Sequence, residues 1–201
     1  MIGQIGNERV WRVRLWNKDL GVALVTALAL LAGTLLMWRT ETATRSFESP
    51  DATLRLAYPA HWVSVDSLSD VLLKVEDPQT ASLFKTTLSV EQRDIDPANP
   101  PTLQELLDRR VEDRSLLTGY HFLGEAETTV AGQRAIASDF AYVVQPIDEP
   151  RRPALPVVVR AREYIFVTAN HSFYLTLAAP AAEFDRLEGA LARIIASVEA
   201  P

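Results

Sequence analysis

Three histidines, His61, His121 and His171, are the side chains best suited to move a proton near neutral pH. Long intervals separate them, and they fall in a turn, at a strand start and at a hairpin tip, which reads as surface or locally bonded imidazoles. Asp94, Asp96 and Asn99 offer oxygen ligands for a hard cation. The central glycine and distal glutamate of a calcium loop are missing there, and turn-forming Asp and Asn ahead of proline account for the same residues. Arg151 and Arg152 in a proline-rich tract present paired guanidinium groups that suit an acidic partner or a solvated loop tip. The chain has no cysteine, which removes disulfides, thiolate metal sites, cysteine nucleophiles and a lipid-bearing cysteine. No Gly-x-Ser-x-Gly elbow, phosphate-binding glycine loop or His-Glu-x-x-His occurs. The expectation is therefore a protein that is not an enzyme, with no catalytic residues, no cofactor and no metal site.

The 201 residues carry a formal charge of −6 and a sequence pI near 5.1. No net positive field exists to gather phosphates, so nucleic acid is not an expected partner. The average hides two unlike parts. Residues 1–45 hold six basic and three acidic side chains, a net of +3, whereas residues 46–201 hold fourteen and twenty-three, a net of −9. A basic head on an acidic body is the pattern of a chain that straddles a boundary.

Residues 20–38 read LGVALVTALALLAGTLLMW, without a charge. As a helix this run spans about 28 Å, close to the roughly 30 Å of a bilayer's hydrocarbon core. Trp16 and Trp38 bracket it at the level aromatic side chains favour. Arg9, Arg12, Arg14 and Lys18 precede it and only Arg39 and Arg45 follow closely, so the positive-inside rule places the N-terminus in the cytoplasm and the rest outside. The run is longer than a signal peptide's apolar region and the following RTETATR offers poor cleavage sites, which favours a retained anchor. Ala23 with Ala27, and Ala29 with Gly33, are small-xxx-small pairs of the kind that let a second helix approach.

The expected organisation is a cytoplasmic basic segment at 1–19, a transmembrane helix at 20–38, a linker at 39–50 and an extracytoplasmic α+β domain at 51–201. In that domain, strands are expected at 53–58, 71–75, 83–93, 121–130, 134–145, 157–169 and 172–178. Ala131-Gly132 and Asn170-His171 are expected to close tight hairpins, the second through a positive φ at Asn170. Residues 94–101 and 146–156 read as proline-rich loops. Thr102 and Glu105 form a capping box that opens a helix ending at Gly119. Leu103, Leu106, Leu107 and Val111 lie on one face of that helix, and Arg109, Arg110, Glu112 and Asp113 lie largely on the other. A closing amphipathic helix covers 181–198, with Phe184, Leu187, Leu191, Ile194, Ile195 and Val198 in one stripe.

Tyr58-Pro59-Ala60-His61-Trp62, directly after the first strand, admits two readings. Proline stops the ladder and Trp62 plugs one end of the core, or the indole stacks on a ligand. With Phe173-Tyr174-Leu175-Thr176-Leu177, Pro180, Phe184 and Ile194-Ile195-Ala196-Ser197-Val198, this segment resembles the PsbP-like family, named for the extrinsic subunit of oxygenic photosystem II. The resemblance spans about residues 46–199. It implies an antiparallel β-sheet flanked by helices on both sides. It also implies a non-catalytic, extracytoplasmic accessory role at a large membrane complex. Bacterial members of the family are frequently lipoproteins, whereas this chain offers a protein helix instead.

The expected function is thus a single-pass accessory or assembly subunit in the cell membrane, photosynthetic or respiratory, with other subunits and the lipid bilayer as partners. The alternatives are an extracytoplasmic module that binds a small ligand or envelope component, and a hydrolase with an unrecognised site.

Overall fold

The computed structural model describes residues 17–66, 71–145 and 155–200. The chain divides into two compact units between Thr42 and Ala43. The first contains α1 (Asn17–Thr42), a continuous helix of 26 residues. From Leu20 to Met37 its side chains are exposed and none of that window is buried in protein. The hydroxyls of Thr26 and Thr34 donate to the carbonyls of Val22 and Leu30 at 2.9 Å, so the helix satisfies its own polar groups. Trp16, Arg9, Arg12 and Arg14 lie outside the described residues, and Trp38 sits within α1.

The second unit is an α+β domain. Its elements in chain order are β1 (Thr44–Glu48), β2 (Arg55–Pro59), β3 (Val63–Ser64), β4 (Val71–Glu76), β5 (Thr87–Asp94), α2 (Leu103–Ser115), β6 (His121–Val130), β7 (Gln133–Val144), β8 (Val157–Val167), β9 (His171–Pro180), α3 (Ala181–Phe184) and α4 (Glu188–Ala196). Strands β3-β4-β5-β9-β8-β7-β6 form a seven-stranded antiparallel sheet in that order, and β1 and β2 pair separately. β9 runs through the middle and is buried along almost its whole length, which is why its sequence is a near-continuous apolar run.

Alternation along the strands divides the core. On one face Leu88, Val90, Leu175, Leu177 and Phe166 pack with Leu54, Leu56 and Tyr58 of the small sheet and with Leu191 and Ile194 of α4. On the other, Ile136, Ile165 and Tyr174 meet Leu106 and Leu107 of α2. The capping box holds α2 as expected: Glu105 N–H donates to Thr102 Oγ1 at 3.2 Å, and Thr102 N–H donates to Glu105 Oε2 at 2.8 Å. Ala131 and Gly132 both take positive φ, 52° and 76°, the geometry of a tight hairpin turn.

Several boundaries differ from expectation. The linker at 39–50 does not exist as such, because α1 continues to Thr42 and β1 pairs with β2 from Thr44↔Pro59 to Glu48↔Arg55. The polar TRSFE segment becomes a strand because β2 offers it a ladder. β5 begins at Thr87 instead of 83, and α2 ends at Ser115, with Gly119 (φ 64°) turning the chain into β6. The β8–β9 hairpin closes between Thr168 and His171, whose carbonyl accepts from Thr168 N–H at 2.8 Å. Asn170 is not among the residues with positive φ. The closing helix breaks at a 3₁₀ turn over Asp185–Leu187, where Arg160 Nη1 donates to Asp185 Oδ1 at 2.9 Å.

Trp62 is 3% exposed and belongs to the main core, so the plug reading of this side chain holds and ligand stacking does not. Replacing it, Trp62→Ala, should cost about 3–5 kcal/mol, whereas Leu83→Ala, at an exposed position, should stay within about 0.5 kcal/mol. Urea titration of the full chain in micelles, followed by near-UV circular dichroism, measures both.

Candidate functional site

Two features stand out from the fold: the unburied helix and a charged cluster inside the domain. On α1 the pairs Ala23–Ala27 and Ala29–Gly33 lie along the helix at four-residue spacing. At 100° per residue the second pair is displaced about 120° around the axis from the first. A single partner helix can therefore centre on only one of them. Space beside Gly33 is open, with nothing within 4 Å of where a Cβ would stand.

The Tyr58–Trp62 segment closes one end of the core. Tyr58 is buried, Pro59 ends β2, and Trp62 N–H donates to Pro59 O at 3.1 Å, closing the turn that drives the indole inward. Ser197 lies just past α4. Its hydroxyl accepts from Ala57 N–H at 2.8 Å and so occupies the free edge of β2. Glu199 pairs with Arg55 by backbone hydrogen bonds on the same edge.

The histidines do not converge. His61 faces Asp77 at 3.7 Å and meets Trp62 edge-on, while His171 faces Asp94 at 3.4 Å at the opposite end of the sheet. His121 starts β6, five strand spacings or about 24 Å from β4. Asp96 is used by its own loop, accepting from Ala98 N–H at 2.9 Å through Oδ1 and from Asn99 N–H at 3.1 Å through its carbonyl. Asp96 and Asn99 thus form a turn, while Asp94 ends β5 and faces His171. Among the described residues no group of three or more His, Cys, Asp or Glu side chains is placed to hold a metal ion. Arg151 and Arg152 lie outside the described residues.

The sequence reading placed Arg110 on the solvent side of α2, and the structure corrects it. Arg110 is 5% exposed and reaches onto the sheet. Its Nη1 and Nη2 donate to the two oxygens of Glu91 on β5 at 2.9 and 3.0 Å, a bidentate pair. Its Nε and Nη2 also donate to Glu163 Oε1 on β8. The same oxygen accepts from Arg114 Nη2 at 3.1 Å and from Thr176 Oγ1 on β9 at 2.9 Å. The guanidinium of Arg110 stacks 4.4 Å from the centre of the Tyr174 ring. Glu91 and Glu163 with Arg110 and Arg114 form a charged set that joins α2 to three strands, and Arg93 approaches Glu91 at 3.8 Å from its exposed side.

Burial would raise the Glu163 carboxyl, but the charge and hydrogen bonds of Arg110, then Arg114 and Thr176, hold it below the usual carboxylate range. Arg110 is pushed down by burial and more than restored by Glu163 and Glu91. Through Oε1 the carboxylate clamps α2 to β8 and β9. Its signal in the sequence is faint: Glu163 and Thr176 are buried polar positions alternating with the apolar ones of β8 and β9.

No protein-family model and no curated protein sequence matches the chain. Solved structures do match it in fold. The cyanobacterial PsbP (CyanoP) of Synechocystis sp. PCC 6803 aligns with TM-score 0.58 at 12% identity, covering 79% of this chain and 93% of that one. LpqN of Mycobacterium tuberculosis, described as involved in cell envelope biogenesis, aligns with TM-score 0.54 at 17% identity, covering 79% and 91%. A protein from Bacteroides thetaiotaomicron aligns with TM-score 0.51 at 13% identity, covering 78% of this chain and 48% of its own. The domain has a PsbP-like fold, preceded by an apolar helix long enough to cross a membrane.

Removing one member of a buried charge set costs about 3–5 kcal/mol, and Glu163→Gln should do so by urea titration. The sign with pH follows from the lowered carboxyl. Its contribution is complete above the ordinary glutamate value of about 4.3 and is lost as pH falls through the depressed folded value. The wild-type chain should lose stability across that acid range more steeply than the Glu163→Gln variant.

Proposed function

We propose that this chain is a single-pass, membrane-anchored accessory or assembly subunit of a larger membrane complex, and that it performs no catalysis itself. Its N-terminus lies in the cytoplasm and its PsbP-like domain outside the cell membrane. The observation that carries this reading is α1: an 18-residue window from Leu20 to Met37 with mean hydropathy 2.3, none of it covered by the protein's own atoms. Water does not tolerate such a helix bare, and lipid does. The charge asymmetry across the helix supports the orientation. The mutually paired Glu91, Glu163 and Arg110 and the separation of the described histidines support a binding role over a chemical one.

Membership of the PsbP-like family, with its accessory role, rests on the Tyr58–Pro59–Trp62 segment together with the fold likeness to CyanoP. In this reading one small-residue pair on α1, either Ala23–Ala27 or Ala29–Gly33, packs on a helix of the partner complex.

One observation favours a second reading, an envelope-component binding module. A shallow trough of about 610 Å³ runs between α4 and the β6–β7 hairpin, lined by Thr128, Ala131, Gly132, Tyr164, Ile195 and Val198 among others. LpqN, which shares the fold, is described as involved in cell envelope biogenesis.

Purification of the tagged chain in mild detergent, followed by mass spectrometry of what accompanies it, tests the first reading. Other membrane subunits in constant ratio are expected. Recovery of the chain alone, or with a bound envelope lipid or glycan and no protein, contradicts it. Gly33→Ile and Ala27→Ile, made separately, should differ. The one that crowds the partner helix should lose the co-purified subunits, while the other keeps them.

A further inference from the structure

Along the seven-stranded sheet every neighbouring pair is antiparallel, so the connections divide cleanly between its two ends. One end gathers the loop at 77–86, the passage from α2 into β6, the end of β7, the start of β8 and the passage from β9 into α3. The other gathers the β5–α2 loop and the tight turns after β6 and β8. The exposed large apolar side chains of the domain divide unevenly between these ends. Leu83, Leu116, Phe122, Leu123, Leu155 and Val158 all lie at the first end, and among the described residues the second end exposes none. Leu116 and Leu155 are 88% and 81% exposed. Singly exposed leucines are ordinary, but a one-sided gathering marks an interaction surface.

The chain itself enters the domain at this end. Ala43 O accepts from Ala60 N–H at 2.9 Å, His61 faces Asp77 beyond the end of β4, and exposed Val63 pairs with Glu76 at the last position of β4. Only Ala43 separates the last residue of α1 from the first of β1, a link of a few ångströms.

We propose that this end of the domain docks on the lipid bilayer, with Leu83, Leu116, Phe122, Leu123, Leu155 and Val158 inserted at the headgroup boundary. The proposal rests on the reading of α1 as a membrane anchor. A tether this short keeps the apolar end at high effective concentration over the bilayer, so contacts too weak to bind a free domain suffice. Partial burial of apolar side chains at the headgroup level is the usual energy source for such contacts. The opposite end, with the loop at 95–101 and the two tight turns, is thereby presented to the aqueous side and to soluble or extrinsic partners.

The absence of cysteine makes the test direct. Leu116→Cys, Leu155→Cys and, at the opposite end, Asn99→Cys are made singly in the full chain and labelled with a small fluorophore. The protein is reconstituted in vesicles of phosphatidylethanolamine and phosphatidylglycerol containing a headgroup-level nitroxide lipid. Flotation with the vesicles is measured first. The expected result is flotation of all three, with several-fold stronger nitroxide quenching at positions 116 and 155 than at 99, and the reverse order with aqueous iodide. Charged substitutions at neighbouring positions, Leu83→Asp with Leu123→Asp, should abolish the excess lipid quenching at 116 while flotation persists. Flotation with equal, weak quenching at all three positions overturns the docking and leaves the anchor standing. Labels at 116 and 155 shielded from both quenchers would show a protein or second copy covering this end, which also overturns it. Failure to float overturns the anchor and this proposal together.

Discussion

The free energy of α1 governs how the rest of the molecule is used. Ten large apolar side chains on this helix, from Leu20 to Met37, stand 56–69% exposed. At roughly 1.5–3 kcal/mol for each burial left unmade, the deficit in water is on the order of 15–30 kcal/mol. A whole domain is stable by only about 5–15 kcal/mol. Within the domain, α2, α4 and the small sheet cover the apolar faces of the central strands. The helix therefore demands an apolar solvent or an apolar partner, and a bilayer supplies both.

The domain is built to be autonomous of that demand. Its central strand β9 is buried on both faces, and the outer edge of β2 is occupied by Ser197 and Glu199 instead of being left open. Between α2 and the sheet the packing is charged at its centre: Glu163 accepts four hydrogen bonds on one oxygen from Arg110, Arg114 and Thr176. A set of this kind adds little net stability over an apolar one, but it penalises any other register of α2. Charge thus goes into orienting a helix.

Much of this was legible in the residues. Thr102 and Glu105 announced the start of α2, Ala131-Gly132 announced a hairpin, and Pro59 followed three residues on by Trp62 announced a strand end and a core plug, since each is a local signal with a local cause. Arg110 was misread because helical periodicity counts charge as solvent-facing, and its partners Glu91 and Glu163 come from strands far away in the chain. β1 was missed because TRSFE is polar and becomes a strand only through pairing with β2. The gathering of Leu83, Leu116, Phe122 and Leu155 was invisible for the same reason: each is an ordinary loop or edge residue until the antiparallel order of the strands brings them to one end.

The account stands or falls on whether residues 20–38 stay with the folded domain in the membrane. Intact-mass spectrometry of the chain recovered from carbonate-washed membranes measures this most directly. The account predicts that the membrane pellet holds a species retaining that whole segment. A mature form beginning near residue 45 and recovered in the soluble fraction would contradict it.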